Sequence, residues 1–320
     1  ISLVVPVYNT PTKWLEACVH SILDQWYENF ELILYDDASD QLSTLAAIEK
    51  LANRDPRIKL HKGAERLQIS KATNRAISFS NGDFIAFMDH DDTIEPFALM
   101  EIVRTINAQP SVDLIYSDED KINPQGKRFG PYFKTDFDED LLLSNNFISH
   151  LTVVRKSVGD SLQWISEGTD GAQDHDFLLR LLDKTRNIVH VPKVLYSWRQ
   201  YPGSTALSHG EKPYALEAGK KAVEAYASRH GIEGKVENGP WAGAYRLRRT
   251  IQKDQLVSII IPFKDQPKLL EKCVKSIFAK TDYLNYEILL IDNKSEETET
   301  RQLVTHLSDQ NMVRYLEYPH

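Results

Sequence analysis

The sequence predicts an α/β protein with a mostly parallel sheet flanked by helices, followed by the start of a second, similar copy. Two observations carry this prediction. Continuous apolar runs alternate with amphipathic runs, which is the pattern of consecutive βαβ units. The first of these units then recurs near the end of the chain, and two copies so far apart indicate a duplicated domain rather than a solenoid of short repeats.

The elements of the first copy follow in order from the N-terminus. The run LVVPV predicts a strand buried on both faces, because strands of parallel sheets covered by helices are apolar throughout. Residues 12–26 have the apolar spacing of a helix, and FELILY predicts a second buried strand. A helix near 42–53, a strand near 57–61, a helix near 68–80 and the strand FIAFM complete the alternation.

The segment that starts at Val257 repeats the segment that starts at Ile1. The matched residues are Pro6 with Pro262, Pro11 with Pro267, Cys18 with Cys273, Ser21 with Ser276, Asp36 with Asp292 and Ser39 with Ser295. We therefore predict a first domain over residues 1–235, a linker over 236–256 and the N-terminal part of a second domain over 257–320.

Composition and charge exclude several classes of protein. Hydrophobic residues make up 42% of the chain and charged residues 26%, as in soluble globular proteins. The net charge of −8 disfavours binding to nucleic acid, and no apolar run approaches the ~18–20 residues of a membrane span. Cys18 and Cys273 favour two reduced thiols in a reducing compartment. Because the chain opens inside an apolar run at Ile1, we expect it to be part of a longer protein.

Acidic residues follow the strand FIAFM directly, at the end of the strand where α/β sheets bind ligands. Asp89, Asp91 and Asp92 repel one another unless a cation or hydrogen-bond donors compensate their charge. Hard divalent cations bind such oxygens together with phosphate oxygens of a substrate. We predict Asp89 and Asp91 as metal and nucleotide ligands, whereas Asp92 also fits the N-cap of a following helix.

A second acidic pair, Asp36 and Asp37, ends the second predicted strand. Acidic residues at this place in nucleotide-binding folds bind the nucleotide, so we expect these carboxylates to accept a hydrogen bond from a base N–H or a ribose hydroxyl. Alternatively, Asp37 caps the next helix. The second copy has Asn293 at the position of Asp37, which predicts a different nucleotide there, or none.

VVPVYN, LYDDASD, ISKATNRA and FIAFMDHDD together resemble the nucleotide-sugar half of inverting family 2 glycosyltransferases, which have the GT-A fold. IYSDEDKI, PYFKTDF, LLLSNNFISHL, EGTDGAQDHDFLLRLL and VLYSWRQYPGSTA resemble the subgroup that builds bacterial O-antigen, capsule and rhamnan polysaccharides, often with tandem domains. The resemblance covers about residues 1–230 and 257–320. It implies inverting transfer of a sugar from a nucleotide sugar, with UDP favoured by frequency, to a glycan or lipid-linked oligosaccharide.

The resemblance also implies roles for individual residues. It assigns Mn²⁺ or Mg²⁺ to Asp89 and Asp91. Contacts to the nucleotide sugar fall on Pro6, Tyr8, Asn9, Asp36, Asp37, Asp89, Lys71, Arg75 and Arg199. The last three are basic side chains near the diphosphate, and each could instead be solvated or ion-paired.

The general base that the resemblance implies is Asp174. Related enzymes carry Glu-Asp at this helix start, whereas this chain has Gln173-Asp174. A carboxylate here could equally be an anion stabilised by the helix dipole, and Asp176 is the neighbouring, more structural candidate. The usual metal-binding His falls on Ser197, so His209 or water is expected to complete the metal shell.

Several alternatives remain open at this stage. His150 either lies near the acceptor groove or is buried and hydrogen-bonded, and residues 118–120 either line the donor-sugar pocket or form a solvated loop. A sugar nucleotidyltransferase would need a Gly-rich phosphate loop after the first strand, which VYNTPTKW lacks. A non-catalytic carbohydrate-binding or scaffolding module is the other alternative, chiefly for the second copy. The resemblance implies a cytoplasmic protein, free or peripherally associated with the inner face of the plasma membrane.

Overall fold

The structure, a computed structural model, describes residues 1–201, 213–251, 255–310 and 312–318. It divides into two compact units, Ile1–Arg249 and Thr250–His320. Within the described part of the chain, no helix is both long and apolar enough to cross a membrane.

Strands and helices alternate through the first half of the first unit, as predicted. The strands of this unit are β1 (Ser2–Val7), β2 (Glu31–Asp36), β3 (Ile58–Lys62), β4 (Phe84–Phe87), β5 (Thr93–Ile94), β6 (Leu114–Ile122), β7 (Arg128–Tyr132), β8 (Thr152–Arg155), β9 (Ile188–Arg199), β10 (Gly234–Asn238) and β11 (Tyr245–Arg249). The helices are α1 (Thr12–Leu23), α2 (Leu42–Ala52), α3 (Gln68–Ile77), α4 (Ala98–Ala108), α5 (Glu139–Ser144), α6 (Lys156–Ser161), α7 (Gln173–Leu181) and α8 (Pro213–Arg229).

The main sheet has the strand order β3-β2-β1-β4-β8-β6-β9-β5, with β7 paired to β6. The half formed by β3, β2, β1 and β4 is parallel. The other half is mixed, because β8 runs antiparallel to both β4 and β6 while β9 runs parallel to β6. The predicted α/β sheet flanked by helices is confirmed, with its parallel character concentrated in the N-terminal half.

Two hydrophobic clusters cover the two faces of this sheet. Leu3 and Val5 of β1 belong to one cluster, whereas Val4 belongs to the other. All three are fully buried, as the continuous apolar run predicts for a strand in the middle of a covered parallel sheet. The strand ends are thereby held in fixed positions at one edge of the sheet.

The first unit extends to Arg249, beyond the predicted domain boundary at residue 235. Residues assigned above to a linker form the antiparallel hairpin of β10 and β11. Val236 and Tyr245 from this hairpin are buried in the same cluster as helix α8. Because burying these two side chains attaches the hairpin to the core, the stretch between the units is shorter than the predicted linker.

The second unit has the predicted strand–helix–strand opening. Its elements are β12 (Val257–Phe263), α9 (Pro267–Lys280), β13 (Tyr286–Asp292), α10 (Thr298–Ser308) and β14 (Val313–Glu317), with a parallel sheet in the order β12-β13-β14. Ile260 of β12 is 64% exposed, whereas the matching Val4 of β1 is fully buried. The difference arises because residues of α3, such as Ala72 and Ala76, pack in the same cluster as Val4, whereas Ile260 belongs to no hydrophobic cluster among the described residues.

The same local hydrogen-bond network occurs in each unit, after that unit's second strand. Asn9 Oδ1 accepts from the backbone N–H groups of Asp40 and Gln41, at 3.0 and 3.1 Å, just before α2. Asp265 Oδ1 accepts in the same way from the two residues that precede α10, at 2.8 and 2.9 Å. The repeat is therefore a repeat of interactions as well as of residue types.

Candidate active site

A cavity of about 390 Å³ lies beside the ends of β1 and β4. Residues from distant parts of the first unit meet in its walls, among them Pro6, Thr73, Asp89, His150, Asp174 and Trp198. The cavity thus combines the predicted strand-end acid Asp89 with the predicted base Asp174.

The acidic segment after β4 is anchored by Asp92. Its carboxylate is fully buried and accepts hydrogen bonds from the Tyr196 hydroxyl at 2.5 Å and the Arg199 backbone N–H at 2.7 Å. Burial, together with the nearby charges of Asp89 and Asp91, raises the pKa of Asp92 well above its ordinary value. The segment continues into strand β5 rather than a helix, so the helix-cap alternative for Asp92 was wrong. The carboxylate oxygens of Asp92 instead accept hydrogen bonds from Tyr196 and Arg199 of β9.

Asp89, Asp92 and His150 form a cluster that could hold a metal ion, with ligand atoms within 4.8 Å of one another. The Asp89 side chain is 48% exposed, and its Oδ2 lies 3.9 Å from His150 Nε2. Carboxylate oxygens with one imidazole nitrogen are a donor set that fits a divalent cation. His150 was not predicted as a ligand, because about 60 residues separate it from Asp89.

Asp91, the other predicted metal ligand, lies beside this cluster. Its backbone carbonyl accepts from Arg199 Nε at 2.6 Å, and its side chain is hydrogen-bonded to Tyr201. Asp91 Oδ1 also lies 3.7 Å from His90 Nδ1. The structure therefore groups Asp89 with Asp92 and His150 rather than with Asp91.

The alternatives considered for a third metal ligand have different outcomes. Ser197 donates its hydroxyl hydrogen to Asp120 Oδ1 at 2.6 Å, and both side chains are buried. His209 lies outside the described residues. His150 stacks on Tyr196 with ring centroids 4.5 Å apart, which orients its imidazole in the cavity wall.

Asp174 is the second residue of α7 and projects into the cavity. Asp174 is exposed to solvent through the cavity, although many protein atoms lie close to its carboxylate. The resulting loss of hydration raises the pKa of Asp174 to about 6; His150 opposes this shift and Asp89 adds to it. Asp174 is thus ionised at neutral pH while remaining a competent proton acceptor. Asp176, in contrast, pairs with Arg180 at 2.7 Å, as expected of a structural residue.

The loops after β1 and β2 also meet near this edge of the sheet. Asp37 accepts hydrogen bonds from the backbone N–H groups of Leu67 and Gln68, at 2.7 and 3.0 Å. It therefore supports the start of α3 rather than capping α2, and burial raises its pKa. The guanidinium of Arg66, which the sequence did not single out, lies 3.9 Å from the ring centroid of Tyr8.

Asp36 and Asn9 have structural partners in the same loops. Asp36 is buried, and its Oδ1 accepts from the Ser39 backbone N–H at 3.1 Å. The Asn9 backbone N–H donates to the Ser39 hydroxyl oxygen at 3.0 Å. These two predicted nucleotide contacts thus also shape the loop in which they lie.

The predicted basic contacts lie apart from the cavity walls. Lys71 is exposed on α3 and pairs with Glu167 at 3.1 Å, and Arg75 lies over the ring of Phe79. Arg199 is buried, binds the backbone of the acidic segment and lies 4.4 Å from the ring centroid of Trp14. Lys71 and Arg75 are exposed, as the solvated alternative expected, whereas Arg199 is held by a backbone carbonyl and a ring.

Comparison with known proteins finds relatives that are similar in sequence over nearly the whole chain. The chain is 41% identical over 303 residues to the uncharacterized protein y4gI of Sinorhizobium fredii, covering 94% of this chain and 33% of the relative. It is 36% identical over 314 residues to the O-antigen biosynthesis protein RfbC of Myxococcus xanthus, covering 98% of this chain and 24% of the relative. The chain therefore spans about a third or a quarter of the length of these relatives.

Solved structures with a similar fold include TarS of S. aureus in complex with UDP-GlcNAc. The match has a TM-score of 0.57 at 20% identity and covers 71% of this chain and 65% of that one. It confirms the GT-A fold. The sequence profile of Glycosyl transferase family 2 matches residues 2–162 and 258–319, which is more than half of the chain and includes part of both units. The chain belongs to glycosyltransferase family 2.

Proposed function

We propose that the chain transfers a sugar, with inversion and with the help of a divalent metal ion, from a nucleoside-diphosphate sugar to a hydroxyl of a glycan acceptor. The observation that carries this proposal is the position of Asp174 in one cavity with Asp89 and His150. The same cavity offers a proton acceptor together with candidate ligands for a metal ion that would bind the diphosphate.

Asp174 is the general base in this proposal. An acceptor hydroxyl is a poor nucleophile at neutral pH, and a positioned carboxylate that takes its proton speeds attack by typically ~10²–10⁴-fold. The raised pKa of about 6 supports this role, because the carboxylate is ionised yet basic enough to accept the proton. A single displacement at the anomeric carbon inverts its configuration.

Asp89, with Asp91 or Asp92 and with His150, would hold Mn²⁺ or Mg²⁺. A bound divalent ion supplies positive charge that stabilises the departing diphosphate. The donor set of the cluster supports this assignment. Asp92 contributes in any case by fixing the acidic segment against β9.

The nucleotide is proposed to bind where the loops after β1 and β2 meet α3. Its contacts are Pro6, Tyr8, Asn9, Asp36 and Asp37, with Arg66 as an added candidate. UDP is the first choice because TarS, which shares the fold, has been crystallised with UDP and with UDP-GlcNAc. Lys71, Arg75 and Arg199 remain weaker candidates, since each has a protein partner.

The proposed product is a bacterial cell-surface polysaccharide, with a glycan or lipid-linked oligosaccharide as acceptor. The relative named for O-antigen biosynthesis supports this class. We place the activity in the cytoplasm, free or at the inner face of the plasma membrane. The second unit is proposed to be the N-terminal part of a second domain of the same kind, because the family profile matches it.

A panel of UDP, dTDP and GDP, each with Mn²⁺ or with EDTA, tests the donor site. A nucleotide that binds the folded state raises the melting temperature. We expect UDP with Mn²⁺ to give the largest rise and UDP-sugar to be slowly hydrolysed. Binding without hydrolysis or transfer would favour the carbohydrate-binding or scaffolding alternative, and no response to any of these nucleotides would refute the proposed donor site.

A further inference from the structure

A buried ion pair lies directly behind His150. Lys134 Nζ is 3.2 Å from Glu119 Oε2, and the two side chains are 0% and 10% exposed. Glu119 lies on β6, and Lys134 follows the end of β7. Burial lowers the pKa of Lys134, while the charge of Glu119 opposes that shift.

Both members of the pair bind the backbone of His150. Glu119 Oε2 accepts from the His150 N–H at 3.1 Å, and Lys134 Nζ donates to the carbonyl oxygens of Ile148 and His150. An ammonium group has three protons, so Glu119 and the two carbonyls satisfy all of them. The peptide groups on either side of the His150 Cα are thereby held by one charged pair.

This arrangement is costly as a means of stabilising a fold. Removing two charges from water costs several kcal/mol, and well-packed apolar residues often serve equally well in their place. The pair instead fixes the position of the His150 backbone, to which both of its members bind. The preceding residue, Ser149, has a φ of +40°, a conformation that persists in a non-glycine residue when its surroundings hold it.

The His150 ring, held in this way, lies in the cavity 3.9 Å from Asp89 and stacks on Tyr196. We infer that Glu119 and Lys134 are positioning residues that fix His150 as a third ligand of the donor-bound metal ion. The inference rests on the proposed function. It assigns a role to Glu119, which the sequence left as pocket lining or solvated loop, and to Lys134, which the sequence did not single out.

The test separates metal-dependent binding from binding in general. Calorimetry gives the affinity for UDP with saturating Mn²⁺ and again with EDTA, and the ratio of the two is the gain due to the metal. We expect Lys134→Met and His150→Ala each to lower this ratio by ~10-fold or more, as is typical when groups that orient a metal ligand are lost. In Lys134→Met, affinity in EDTA should stay within about twofold of wild type, because the Lys134 side chain is fully buried and does not line the cavity.

Arg155→Met is the matched control. Arg155 lies at the other end of β8, where its guanidinium binds Asp113 at 2.9 Å and the carbonyl of Val112 at 2.7 Å. Like Lys134 it is a cation that holds a carboxylate and a backbone carbonyl, but it lies at the end of β8 that is away from His150. We expect a lower melting temperature and an unchanged metal ratio.

Glu119→Gln provides a second variant if Lys134→Met does not fold, since Gln keeps the size and can accept from the His150 N–H. We expect an intermediate loss in its ratio. If Lys134→Met and Glu119→Gln fold and keep the wild-type ratio of affinities, while His150→Ala lowers it, the positioning role alone is overturned. An unchanged ratio in His150→Ala would remove His150 from the metal shell. If wild-type protein binds UDP no better with Mn²⁺, the proposed function itself fails.

Discussion

At the scale of single residues, the environment of Asp174 decides its chemistry. A free aspartate has a pKa near 4 and is a weak base, whereas partial loss of hydration and the charge of Asp89 bring Asp174 to about 6. His150 acts in the opposite direction and lowers the pKa of Asp174. The neighbours of Asp174 therefore set a pKa at which the carboxylate is ionised at neutral pH and is more basic than a free aspartate.

Titration of Asp174 in metal-free protein is the first prediction. We expect ¹³C NMR to give a pKa near 6, and Asp89→Asn to lower it, because that change removes a neighbouring negative charge. His150→Ala should shift the pKa the other way. Asp174→Asn identifies the resonance. A pKa near 4 in the wild-type protein would show that the cavity does not desolvate this carboxylate.

The predictability of the site from sequence also differs residue by residue. Asp89 follows an apolar strand directly, so its place at the sheet edge follows from local pattern. His150 reaches the same cavity because β8, which begins just after it, inserts between β4 and β6. That insertion is long-range, and no local periodicity encodes it. The same holds for Lys134, which the sequence alone leaves as an ordinary charged residue.

At the scale of elements, the loop from β4 to β5 is tied to β9 through Asp92. The Tyr196 hydroxyl donates to the buried Asp92 carboxylate and also accepts from the Asp89 N–H at 3.3 Å. This loop carries the proposed metal ligands, so these hydrogen bonds hold the ligands in place against the sheet. A capping box in the sequence could not reveal it, because the partners lie about 100 residues away.

Tyr196→Phe measures this tie. We expect a loss of about 1–3 kcal/mol in the free energy of unfolding, because a buried carboxylate loses a donor. Tyr245→Phe is the control, since its hydroxyl donates to the neutral carbonyl of Leu216 at 3.1 Å and should cost less. Urea denaturation of both variants gives the comparison. Equal losses would indicate that Asp92 does not depend on Tyr196.

The turn after β1 gives a second prediction at this scale. Asn9 has a φ of +48°, and its side chain accepts from the two N–H groups that precede α2. We expect Asn9→Ala to cost about 1–2 kcal/mol of stability, through the lost hydrogen bonds and the strained φ. Asn9→Asp should cost less, because it keeps both accepted bonds, as Asp265 does at the matching position, and loses only the bond that Asn9 Nδ2 donates to the exposed Asp40 carboxylate at 2.8 Å. Similar losses in the two variants would contradict the shared network.

At the scale of the whole molecule, the repeat was visible in the sequence because its apolar runs and strand-end acids recur in register. The hairpin of β10 and β11 was not. Half of its strand residues are charged and most are exposed, while Val236, Tyr245 and the partly buried Leu247 anchor it. A charged stretch after a helix is typical of a linker, so sequence alone placed the domain boundary too early.

The division into units predicts the behaviour of fragments. All the candidate site residues lie within residues 1–249, so this fragment should fold and bind UDP with Mn²⁺ as the full chain does. A fragment of residues 1–235 lacks β11 and most of β10 and should melt at a lower temperature, since it leaves part of the core uncovered. Weaker UDP binding by residues 1–249 than by the full chain would show that the second unit contributes to the donor site.

The most direct test of the proposed catalysis is the turnover of Asp174→Asn on a nucleotide-sugar donor with its glycan acceptor. Asn keeps the size and polarity of the side chain but cannot take the hydroxyl proton. We predict that turnover falls by ~10²-fold or more while donor affinity stays near wild type, because the lost interaction acts in the transition state. Near-wild-type turnover in Asp174→Asn would contradict the assignment of the base and direct the search to Asp176.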